Sequence, residues 1–207
     1  METQSVHSLS EKFGLRLTGE WDPLSLAVLS GAVDDFCETF RLVPPFWSLW
    51  LRRLEMRLEH LIYGGLTTQH LIRLNPAGLT RWTVMHEIGH AWDKASWGTL
   101  SLRMKWSTQS SGPVGLLHLL WPEKPAFWYR VGSPPAPCGV DRNFNRFEDF
   151  AEAVAAYVYP QEAEQKARQR GMPYGRYGYI HFRQTPRGHF IAAAADALVK
   201  RELALHM

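Results

Sequence analysis

Apolar residues recur along the first half of the chain at spacings of three and four. Leu26, Leu29, Val33, Phe36 and Phe40 do so, which is the period of one helix face. Asp22-Pro23 supplies an N-cap and a proline at the first helical position, and Pro44-Pro45 closes the run. The pattern predicts a helix over 22–42. Trp47, Leu51, Leu54, Leu58 and Leu61 predict a second helix over 45–61, with Arg52, Arg53 and Arg57 on its solvated face. Gly64-Gly65 breaks the period. Residues 67–74 read as a strand, with β-favouring Thr67-Thr68 ahead of Leu71-Ile72 and Leu74. Asn75-Pro76-Ala77-Gly78 is turn chemistry. Val84, Ile88, Ala91 and Ala95 then form a new helical stripe running to about Trp97. Thr80 can cap it, and so can Asn75 with Pro76.

Residues 98–140 carry no clear period. Trp106, Trp121 and Trp128 lie here among six prolines, at 113, 122, 125, 134, 135 and 137. A long irregular stretch inside a compact domain is often a lid or binding loop, although tryptophans of this kind more often fill the core. Asn145 next caps a helix with Glu148 at the third position, as in a capping box. Phe147, Phe150, Val154 and Val158 make its buried side. A short charged helix is expected over 161–170 and a loop over 171–188. A last helix runs from near Pro186 to about Leu205, with Phe190, Ala194, Leu198 and Val199 inward. Residues 1–20 are polar and expected to be loosely ordered or appended. With no repeat and no linker in view, 1–207 is expected to be a single α+β domain. It is mainly helical, with a small sheet whose edge strand precedes the helix around residue 88.

Composition narrows the classes. With 45% hydrophobic residues, 207 residues can bury a sizeable core. A net charge of +3 is too small to imply nucleic-acid binding. Two cysteines, Cys37 and Cys138, make neither a disulfide framework nor a zinc site. Residues 1–14 lack the apolar core of a signal peptide, and no apolar run approaches a membrane span. The expectation is a cytoplasmic protein with neither membrane nor nucleic acid as a partner, export by a signal-independent route being left open. The oligomeric state is left open.

The chemistry concentrates at His86-Glu87-Ile88-Gly89-His90, an H-E-x-x-H motif. Residues four apart share one helix face, so both imidazoles can bind one ion from the same side. Neutral imidazoles suit Zn²⁺, the ion acidifies a water, and Glu87 stands beside it as the base. In a chain with 9 His the motif arises by chance at a rate of roughly 2%, so its surroundings matter. Two histidines do not complete a catalytic zinc site. No third His follows closely, since residues 89–105 contain only His90. That argues against a three-histidine site and makes a carboxylate on a later helix the main alternative. Glu148 and Glu152, four apart, are the candidates. One would bind the ion and the other would fix the tautomer of a ligand His. Spacing alone does not say which.

His86-Glu87-Ile88-Gly89-His90-Ala91-Trp92-Asp93, followed by Glu148-Asp149-Phe150-Ala151-Glu152-Ala153, resembles the gluzincin-type zincin metalloproteases. The resemblance is to the catalytic domain of anthrax toxin lethal factor and its bacterial relatives. Their pattern is H-E-x-G-H-A-x-D and then E-x-F-A-E-A on a second helix, and about fifteen residues carry the match. The resemblance implies a zinc metallopeptidase acting on a peptide or protein substrate. It implies that Glu148 is the third ligand with His86 and His90, that Glu152 stands behind the ligands, and that 64–74 is the active-site strand. It also implies that the helices at 22–42 and 45–61 are the family's amino-terminal pair. One position departs. Seven residues before the ligand Glu, the family has a Tyr that stabilises the oxyanion, and here stands Asp141. Tyr129, His118, Arg142 and Tyr157 are possible substitutes. Without one, the chain would be a catalytically weak or inactive zincin-fold protein that acts as a binding or regulatory module, because losing one oxyanion donor costs about a hundredfold or more.

Overall fold

The computed structural model describes residues 5–44, 54–68, 70–107, 145–169 and 180–206. They form a mainly helical α+β structure with one four-stranded mixed sheet. The chain divides into two compact units: Met1–Ala95 with Ala195–Met207, and Ser96–Ala194.

The first unit opens with α1 (Val6–Phe13) and β1 (Arg16–Gly19). Residues 5–20 are therefore ordered, against the expectation of a loose start. Ser5 and Ser8 close a capping box at the helix start, and Leu9 and Phe13 are buried. The helix α2 (Pro23–Phe40) is the one expected, with Asp22 accepting from the amides of Leu24 and Ser25 at 2.8 and 3.1 Å. Its five stripe residues are all buried. Arg41, in the left-handed region at φ 55°, ends it.

The second expected helix is not found where it can be checked. Residues 45–53 lie outside the described ones, and Glu55–Leu58 is strand β2. Leu54, Met56 and Leu58 are buried, and Glu55 and Arg57 between them are half-exposed. That is the two-residue alternation of a strand. The expected strand at 67–74 is instead a hairpin of β3 (Gly65–Thr67) and β4 (Leu71–Leu74). The sheet order is β1-β2-β4-β3, with β3 antiparallel to β4 and the others parallel. Among the described residues β3 is thus an edge, while β4, which leads toward the motif helix, is interior.

Both candidate caps are used. Asn75 accepts from the Ala77 amide at 3.2 Å and caps the 3-10 turn Pro76–Gly78. Thr80 accepts from the Thr83 amide at 3.1 Å and starts α3 (Arg81–Ala95). In the second unit α4 (Thr99–Ser107) lies where no element was expected, and 108–144, with the short strand or helical turn expected at Leu116 to Leu120, lie outside the described residues. Then come α5 (Arg146–Val158), α6 (Pro160–Gln169), the 3-10 turn Phe182–Gln184 and α7 (Pro186–His206). The last of these begins in the second unit and ends in the first. Its buried positions are Arg187, Gly188, Ile191, Ala195, Leu198 and Glu202; of the residues expected inward Leu198 is buried, while Phe190, Ala194 and Val199 are half-buried. Phe147, expected inside, is exposed beneath the Arg146 guanidinium. Among the described residues no helix is long and apolar enough to cross a membrane.

Candidate metal centre

In the first unit α3 is fastened to α2 and the sheet. Trp92 meets Phe36 and Phe40 edge-on, with ring centroids at 6.1 and 5.8 Å. Arg81 pairs with Asp35 at 3.0 Å. Val84, Met85 and Ile88 are buried. The sequence chose this face through its apolar spacing, and His86 and His90 then fall together on another. Their Nε2 atoms are 3.0 Å apart, with the rings nearly perpendicular at 83°. Two nitrogens on one tetrahedral ion, each about 2.0–2.1 Å from it, lie about 3.3 Å from each other. The pair therefore fits a shared Zn²⁺ with a shift of a few tenths of an ångström.

Glu87, between the two histidines, is buried. The edge strand holds its carboxylate. The Thr67 hydroxyl donates to Glu87 Oε2 at 2.5 Å and approaches the Glu87 backbone oxygen at 3.3 Å. Lys94, two turns further along α3, donates to the Thr67 carbonyl. On the other oxygen lies Gly65. A Cβ there would stand 2.4 Å from Glu87 Oε1, so the missing side chain is the space that this oxygen occupies. One carboxylate oxygen is thus committed to Thr67, and the other rests in the gap above Gly65.

In the second unit the carboxylates at 148 and 152 sit on α5. Asn145 starts this helix, its Oδ1 accepting from the amides of Phe147 and Glu148 at 2.9 and 3.2 Å. Glu148 is half-buried on the first turn, and Glu152 is buried one turn on. Between them Asp149 is buried and paired with Arg187 of α7, which is also buried. Arg187 Nε reaches Asp149 Oδ1 at 3.0 Å and Nη2 reaches Oδ2 at 3.3 Å. Burial pushes the Asp149 carboxyl up from its ordinary pKa, and Arg187 opposes that shift. Lys105 of α4 is buried as well, and its ammonium is pushed down to about 8, first by burial and then by Arg146. At the other end of α5, Arg183 donates to the Tyr157 carbonyl at 2.9 Å and lies over the Tyr157 ring.

Of the residues singled out in the sequence, His86, Glu87 and His90 come together on α3, and Glu148 and Glu152 share α5. Asp141, Tyr129, His118 and Arg142 lie outside the described residues. Tyr157 is described, and its ring packs under Arg183. The supporting residues Thr67, Lys94 and Arg187 were not foreseen. Thr67 showed only its β-preference, and Gly65 only a break in periodicity. No family model, curated protein or solved structure matches this chain.

Proposed function

We propose that this chain is a zinc-dependent metallopeptidase of the gluzincin type, with His86, His90 and Glu148 as metal ligands and Glu87 as general base. The observation that carries this reading is the converging His86–His90 pair beside a buried carboxylate with one oxygen left for chemistry. The second block, Glu148 to Ala153, and its likeness to lethal-factor-type catalytic domains support the third ligand. Zn²⁺ held there would act as a Lewis acid that brings the pKa of a water down to ~7. Glu87 would serve as the base beside that site, taking a proton on Oε1 and handing it to the leaving amine. Thr67 keeps Oε2 in place throughout. Glu152 would stand behind the ligands, in the role of a carboxylate that fixes the tautomer of an imidazole. The β3 edge receives an extended peptide through main-chain hydrogen bonds. The substrate is then a peptide or protein.

The test is a peptide library digested with zinc-loaded protein, with new termini identified by mass spectrometry. Cleavage that 1,10-phenanthroline abolishes and added zinc restores is the expected result. Bound zinc without any cleavage would favour the second reading, a zincin-fold binding or regulatory module, which Asp141 in the place of the family's Tyr motivates.

The gap above Gly65 gives a sharper prediction. Gly65→Ala forces the Glu87 carboxylate aside, since neither the strand nor the helix backbone can retreat cheaply. Zinc content stays at the wild-type level and kcat falls by about a hundredfold, the cost of an ångström-scale misplacement. An unchanged kcat would contradict the assignment of Oε1.

A further inference from the structure

The helix that carries Glu148 is held at both ends by one short segment. Arg187 grips Asp149 in its first turn through two hydrogen bonds, at 3.0 and 3.3 Å. Arg183, four residues earlier, grips the Tyr157 carbonyl in its last turn at 2.9 Å. The segment itself is stiff. Thr185 caps α7, accepting from the Gly188 amide at 3.1 Å. A Cβ on Gly188 would stand 2.2 Å from the Phe182 carbonyl oxygen, so α7 starts hard against the preceding turn. Asp149 and Arg187 are almost wholly buried, at 1% and 0% side-chain exposure. A buried ion pair is a poor way to gain stability, because apolar residues of the same volume do as well or better. A planar fork meeting a carboxylate does fix direction. Asp149 adjoins Glu148, so what the fork fixes is the rotation of the turn from which Glu148 projects.

We propose that Arg187 is a positioning residue for the third metal ligand: through Asp149 it sets the direction in which α5 presents Glu148. The inference rests on the reading of Glu148 as a ligand. It assigns a task to a charge pair that neither the H-E-x-x-H helix nor the proton transfer uses. Arg183 secures the far end of the same helix, so the turn cannot swing about its own axis.

The experiment is zinc affinity, measured on the full chain by competition with a chromophoric chelator, beside thermal unfolding of the zinc-free protein. The informative variant is the apolar pair Asp149→Leu with Arg187→Met, which removes both charges and keeps the volume. It is expected to unfold cooperatively near the wild-type temperature and to bind zinc at least tenfold more weakly, as supporting contacts around metal sites do when lost. A well-folded double variant with wild-type zinc affinity would overturn the proposal, since a merely structural pair leaves affinity unchanged. Should the double variant fail to fold, Arg187→Lys decides. It keeps the charge and loses the fork, so a several-fold weaker affinity supports positioning and wild-type affinity refutes it. A wild type that binds no zinc removes the ligand reading and this inference with it, an outcome distinct from zinc binding that is indifferent to Arg187.

Discussion

Glu87→Gln is expected to retain one zinc per chain and to lose peptide hydrolysis by a factor of about a hundred to ten thousand, the span that a positioned acid–base group contributes. The amide has the shape of the carboxylate. It can accept the Thr67 hydroxyl where Oε2 now does, at 2.5 Å, and it can sit over Gly65 where Oε1 does. The packing of α3 on β3 therefore survives. What is lost is basicity, because the amide nitrogen then standing over Gly65, like the amide oxygen, takes no proton from water near neutral pH. Zinc content and kcat measured on the same preparation separate the possibilities. Normal turnover would remove Glu87 from the mechanism. Loss of zinc would mean that the carboxylate holds the His86–His90 geometry rather than moving a proton.

The largest stability effect is expected from Arg187→Met alone. It leaves the Asp149 carboxylate at 1% exposure without the guanidinium that compensates for its burial. Removing one member of a buried ion pair costs about 3–5 kcal/mol, much of it the penalty for the stranded partner. Urea unfolding would show this as a lower midpoint with an unchanged slope. A loss below about 1 kcal/mol, the ordinary effect of a point substitution, would mean that Asp149 finds other compensation. Lys105, whose ammonium Asp149 favours, is the neighbour that could provide it.

How much of this was legible depends on which periods compete. The helix α2 was readable because a capped start, a proline at the first position and five apolar residues agree, and all five are buried. The α3 and α5 helices were readable from a cap and an apolar stripe alone, and in α5 one stripe residue, Phe147, is exposed. Leu54 and Leu58 misled, because a spacing of four satisfies a helix face and also two strokes of a strand. Met56 between them, buried in the sheet, belongs to the strand pattern alone. In the first half of α7 the inward residues are Ile191 and Ala195 rather than Phe190 and Ala194, because Ala192 to Ala195 carry no direction, whereas Leu198 is buried as expected. The β3–β4 hairpin was hidden because its turn around Thr68 and His70 holds no Gly or Pro.

Within the site, His86, Glu87 and His90 were legible from local spacing. Their support was not. Thr67 and Glu87 are twenty residues apart, and Asp149 and Arg187 thirty-eight. No local pattern links residues at such distances. Charge in a sequence ordinarily signals a solvated position, so an arginine as deeply buried as Arg187 reads as surface until its partner is found.

The measurement closest to the central claim is the zinc content of the purified chain beside that of Glu148→Ala. The account predicts about one zinc per chain in the wild type, consistent with a three-ligand site, and its loss or marked weakening in the variant. Zinc retained by Glu148→Ala at wild-type affinity would contradict the ligand set and turn attention to Glu152. No zinc in the wild type, even after zinc is added back, would contradict the metallopeptidase reading itself.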